Sequence, residues 1–191
     1  MRMCQQTAKL GGVEPHWLDE REMRAWRGFH RLRAELVAHL SRELARDSGL
    51  TEADYAVLVE VSEAPGHRVR SRDLARALRW DRSRISHQLG RMEARGTVRR
   101  ESCAEDGRSF NVVLTDAGLA AIEAAAPGHA AAVRHCFADV LTPEQLDTLG
   151  DIAEAITTHL ASEHADPANG DETFDTRAPS RVTRARSRSA R

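Results

Sequence analysis

The chain has 191 residues, 28 basic and 29 acidic side chains and a formal net charge of −1, with 30% of its residues charged. That length holds one domain with a sizeable core and leaves a second domain cramped. No apolar run approaches the roughly 18 to 20 residues that span a bilayer, which argues against a membrane helix and for a soluble protein. Cys4, Cys103 and Cys136 are odd in number and widely spaced, so they make neither a disulfide framework nor a zinc site and fit a reducing cytoplasm.

Residues 1–16 lack the apolar segment of a secretory signal and read as a flexible leader. Trp26, Phe29, Leu32, Leu36, Val37, Leu40 and Leu44 then recur at three- and four-residue steps, which predicts one long amphipathic helix over about 17–47, stopped by Gly49. Thr51 and Asp54 form a capping box, flanked by a Leu50/Tyr55 staple, that opens a second helix to about Glu63. Pro65-Gly66 closes it. Ser71 is the expected N-cap of a short third helix with Leu74, Ala75 and Leu78 inward, and Asp81 the cap of a fourth.

The fourth helix, Arg82 to Arg95, has two faces. Ile85, Leu89 and Met92 lie at i, i+4 and i+7 and must pack inward. The other face is expected to offer Arg82, Ser83, Arg84, Ser86, His87, Gln88 and Arg91, side chains that hydrogen-bond phosphates and base edges. Ser71 and Arg72, at the start of the third helix, join them. Between Arg68 and Arg100 there are eleven arginines against three acids, a local excess of eight positive charges in a nearly neutral chain. A charge run is often only a solvated face. Here it coincides with a helix-turn-helix pattern.

Gly96 stops the fourth helix, and 98–103 and 109–115 read as two strands around an Asp106-Gly107 turn. Arg108 falls at or near the hairpin tip, where an arginine can enter a narrow minor groove, and Asp106 can brace its guanidinium. Short helix, turn, basic helix and hairpin make a winged helix-turn-helix at about 50–116, a layout suited to duplex DNA. The fold class is therefore mainly α with a small β wing. Residues 117–139 are helix-compatible, with a kink or break expected at Pro127, which cannot donate to Glu123. Thr142 to Gln145 is a capping box with proline at N1, starting a last helix to about Ser162 whose stripe is Leu146, Leu149, Ile152, Ala153, Ile156 and Leu160. Helices at about 17–47 and 117–162 carry more apolar surface than a chain this short can cover, so a two-fold dimer is expected. Residues 163–191 read as a disordered Arg/Ser-rich tail, able to attract phosphate or merely to stay solvated.

The segments LTEADYAVLVEV, LARAL, DRSRISHQLGRMEARG, TVRRESCAEDGRSF and VVLTDAG together resemble the MarR family of bacterial transcription regulators. The likeness covers about Trp17 to Ala161 and is strongest at the fourth helix, the Asp106/Arg108 tip and the Leu114, Thr115, Gly118 strand exit. It implies a homodimer with interleaved terminal helices, bound to a pseudo-palindromic DNA operator and released by a small phenolic or aromatic acid or by cysteine oxidation. The implied effector pocket lies between the dimer layer and the DNA-binding lobe. Trp17, Trp26, His30 and Trp80 are its candidate contributors, though each reads more readily as core. Oxidant-sensing relatives keep a reactive cysteine near the start of the first helix beside tyrosine hydroxyls. Here that helix has no cysteine and the chain has only Tyr55, so thiol sensing is the weaker alternative. A dimer that binds proteins rather than DNA is the other alternative, and Arg84, Arg91 and Arg108 argue against it. No metalloprotease, nucleophile-elbow or phosphate-loop motif occurs, so neither an enzyme nor a cofactor is expected.

Overall fold

The computed structural model describes residues 16–102 and 110–163. The described residues divide into two compact units, on either side of position 140.

In the first unit, α1 (Glu20–Ser48) opens on a capping box in which Asp19 accepts from the Glu22 N–H and Glu22 accepts from the Asp19 N–H, both at 2.8 Å. That box places the start after Trp17, not at it. Gly49, at φ 70°, closes the helix in the left-handed conformation that a residue without Cβ adopts most cheaply. α2 (Glu52–Glu63) carries the expected Thr51/Asp54 box, and the turn Pro65–His67 follows it. Next comes a strand the sequence did not suggest, β1 (Arg68–Arg70). α3 (Ser71–Ala77) begins one residue earlier than expected: Arg70 is its N-cap, without a side-chain cap hydrogen bond, and Ser71 is already helical.

The turn between α3 and α4 (Arg82–Ala94) is a Schellman motif. Trp80 N–H bonds Ala75 O and Arg79 N–H bonds Arg76 O, with Arg79 at φ 52° in the position glycine usually takes. The end of α4 repeats the motif with Gly96 at φ 74°: Thr97 N–H reaches Met92 O and Gly96 N–H reaches Glu93 O. β2 (Val98–Ser102) and β3 (Phe110–Leu114) pair antiparallel, and β1 adds to the other edge of β3, giving the order β1-β3-β2. The core is built from Leu44, Leu50, Val57, Leu58, Val61, Leu74, Ile85, Leu89, Met92, Val98, Val112, Leu114, Ile122 and Ala125. Seven elements, α4 among them, share this apolar centre, and that fixes where α4 can point.

α5 (Asp116–Val133) is seated by Thr115. Its hydroxyl accepts from the Gly118 N–H and donates to Gly96 O at 2.6 Å, tying the new helix to the end of α4. A Cβ on Gly118 would collide with the Thr97 carbonyl oxygen and lie 2.8 Å from Leu114 Cδ1, so only glycine lets α5 start this close to the sheet. α5 runs unbroken through Pro127, contrary to the break expected there. Both Pro127 and Glu123 are exposed, so the Glu123 carbonyl that loses its helical donor can take one from water instead. The irregularity comes later, as a π-turn over Arg134–Ala138 in which Asp139 N–H bonds Arg134 O.

In the second unit, α6 (Pro143–Glu163) starts on the expected Thr142/Gln145 capping box. It buries no residue, and Ile152, Ile156 and Leu160 of its stripe are exposed. No helix among the described residues is long and apolar enough to cross a membrane.

Candidate nucleic-acid interface

α4 is held from behind by Ile85, Leu89 and Met92, each at most 3% exposed. Its outer face carries Arg82, Ser83, Arg84, Ser86, His87 and Arg91, all exposed. The Asp81 carboxylate caps the helix by accepting from the Arg84 N–H at 2.8 Å. Remaining first-turn N–H groups and the helix dipole make that end favourable to phosphate. Arg84 also lies with its guanidinium carbon 4.2 Å from the centre of the Trp80 ring. A cation held flat on an aromatic face is limited in its rotamers and keeps its hydrogen-bonding edge outward. Arg72 is exposed at the start of α3, 3.7 Å from Asp73, while Ser71 is half-buried.

Gln88 corrects the sequence reading. It is 2% exposed, and its amide donates to Asp54 Oδ1 at 2.6 Å. At i+3 from Ile85 it lies beside the inward stripe, and a buried amide there is stable because Asp54, itself 3% exposed, meets it. The same Oδ1 accepts from Arg95, and the Gln88 carbonyl oxygen accepts from Arg91. Sequence reasoning marked Asp54 only as a cap and gave Arg95 no role.

Several of the local arginines are paired within the chain. Arg68 and Arg99 both bond Glu101. Arg100 donates to Ser86 O at 3.1 Å, sits 3.3 Å from Glu93 and covers the Phe110 ring at 4.9 Å, bracing the wing against α4. Asp106 and Arg108 lie outside the described residues.

The four candidates for an effector site are not gathered in one place. Trp26 and His30 touch on the outer side of α1 with ring centres 4.2 Å apart, and Trp17 precedes that helix, 79% exposed. Trp80 packs against the core at the α3–α4 turn. A separate cavity of about 40 Å³ lies between α1 and α5, with Glu43, Asp47 and His129 among its walls, space for about one or two waters and not for an aromatic ring. Beside it the Tyr55 and His129 rings are 4.4 Å apart. Burial raises the Tyr55 phenol above its usual range, with Glu63 adding to the effect. Burial lowers His129, against a smaller opposing pull from Glu52. The Cys136 thiol is half-buried and donates to Ala132 O at 2.8 Å, while Cys4 and Cys103 are outside the described residues. No metal-ligating cluster occurs among the described residues.

Residues 48–109 match the family model described as MarR family. AbsC, a MarR family transcriptional regulator from Streptomyces coelicolor, is 40% identical over an alignment covering 78% of this chain and 99% of that one, with a TM-score of 0.73. The chain belongs to the MarR family. A second MarR family regulator from that organism, Sco3205, solved in complex with DNA, is 38% identical with 84% of this chain and 98% of that one covered, TM-score 0.74. HosA, a transcriptional regulator of Escherichia coli, is 35% identical over 101 residues, 53% of this chain and 73% of that protein. The family and these relatives are transcriptional regulators, not enzymes, and the fold of this chain matches their winged helix.

Proposed function

We propose that this chain is a cytoplasmic, homodimeric, sequence-specific DNA-binding repressor, freed from its operator by a small aromatic or phenolic acid. The observation that carries the DNA-binding part is the outer face of α4, where Arg82, Arg84 and Arg91 stand exposed opposite a buried Ile85/Leu89/Met92 stripe. In this reading α4 enters the major groove, the Trp80-backed Arg84 reads a base edge and Arg91 meets phosphate. Asp106 and Arg108 complete the contact from the wing, on the sequence argument alone. Support also comes from Sco3205, whose structure holds DNA. The dimer is supported by Trp26, Phe29 and Leu32 on α1, each about half exposed, and by the uncovered stripe of α6. A dimer lying across a promoter excludes polymerase, which is the physical basis of the repressor assignment. The effector class is the one the family resemblance implies, and it would need a wider opening than the cavity beside His129.

Selection of bound duplexes from a random pool, followed by footprinting, tests the proposal. The expected result is a pseudo-palindrome with two protected half-sites about one helical turn apart. Protection of a single half-site would contradict the two-fold arrangement.

A further inference from the structure

Among the described residues the only buried carboxylate belongs to Asp54, and its four donors come from two different helices or their caps. Oδ2 accepts from the Thr51 N–H at 3.1 Å and the Thr51 hydroxyl at 2.8 Å, closing the start of α2. Oδ1 accepts from Gln88 at 2.6 Å and from Arg95, both carried by α4 or its cap. A carboxylate only accepts, so the Gln88 amide must turn its NH₂ toward Asp54. Its carbonyl oxygen is thereby left facing Arg91, which donates to it.

We propose that Asp54 is a positioning residue for DNA recognition: acting through Gln88, it holds the Arg91 guanidinium ready on the outer face of α4. The inference rests on the reading that this face meets DNA. A free arginine must order several torsions when it binds, and a tether formed beforehand removes part of that cost. The chemistry of the tether matters as much as its place. Gln88 is a neutral acceptor, so it orients Arg91 without cancelling its charge, and the remaining N–H groups stay available to phosphate. Arg95, one turn further on, sits directly on the carboxylate and its charge is compensated there. Two arginines on one helix thus have different work: Arg95 locks α4 to α2, and Arg91 is presented to the ligand.

The test is a set of anisotropy titrations of the full chain with a duplex recovered from the random pool, for wild type, Asp54→Asn, Gln88→Met, Arg91→Ala, Arg84→Ala and the Gln88→Met/Arg91→Ala double variant. Thermal melts accompany each variant. Asp54→Asn removes charge from a buried cluster and is the variant at risk of misfolding, so Gln88→Met carries the decision. It should weaken binding by roughly two- to tenfold, leave the slope of log affinity against log salt unchanged, and have no further effect once Arg91 is alanine. An equal loss from Gln88→Met in both backgrounds would make the role merely structural and overturn the proposal, as would no loss in either. If Arg84→Ala weakens binding while Arg91→Ala does not, the relay falls and the reading of α4 stands. If neither arginine matters, that reading itself fails.

Discussion

α1 and α4 show apolar residues at the same helical spacing and end in opposite situations. α4, with 13 residues, buries four of them, whereas α1, with 29, buries only Leu44. The second half of α1 is covered where Leu44 meets the core, but Trp26, at 53%, and Phe29, at 54%, face outward on the first half. Periodicity therefore identifies a face that needs cover and says nothing of what supplies it. The α2–α5 lobe supplies its own cover, and that makes α4 a fixed platform. The outer half of α1 carries exposed apolar side chains, and α6, a unit by itself, buries none of its own stripe.

If the contrast is real, damage to the lobe should cost fold stability and damage to outer α1 should cost association. The largest effect is expected from Leu89→Ala, which empties a fully buried site and should lower unfolding free energy by about 2 to 5 kcal/mol in chemical denaturation. Gly118→Ala should follow at about 1 to 3 kcal/mol or more, since the clash is with backbone and cannot be relieved by a rotamer. Phe29→Ala sharpens the other side of the comparison. On the dimer proposal it should raise the dissociation constant by about tenfold in sedimentation equilibrium, the scale of one interface anchor, with little change in the lobe's own unfolding. The smallest effect concerns His129. Above its ordinary 6.5 neither folded nor unfolded imidazole is protonated and the contribution to stability is complete. As pH falls below that value the unfolded chain takes up the proton first, so stability is lost until the depressed native value is passed. Melting curves across that interval should show the loss in wild type and its absence in His129→Phe.

What could be read in the sequence was local. Caps at Thr51, Asp81 and Thr142, the Gly49 and Gly96 stops and the Ile85/Leu89/Met92 stripe depend on neighbours within a turn or two, and the structure has each of them. What escaped was paired over distance. Gln88 looked like a surface amide because its partner, Asp54, is 34 residues away and already had a local task as a cap. β1 is three residues long and exists only by pairing with β3, so no alternation announced it. Arg79 takes a left-handed turn that glycine would have signalled. Of the kink or break expected at Pro127, the break is absent, since an exposed carbonyl can replace its lost partner with water. In the candidate interface the exposed arginines of α4 were legible from spacing, while the identity of the arginine that locks the helix was not.

The most direct test of the central claim is duplex binding by the full chain as salt is varied, with an Arg84→Ala/Arg91→Ala variant alongside. The account predicts a wild-type affinity whose logarithm falls steeply and linearly with the logarithm of salt, and a weaker variant with a shallower slope because fewer counterions are released. Affinity that is absent at low salt, indifferent to salt, or unchanged in the variant would contradict it.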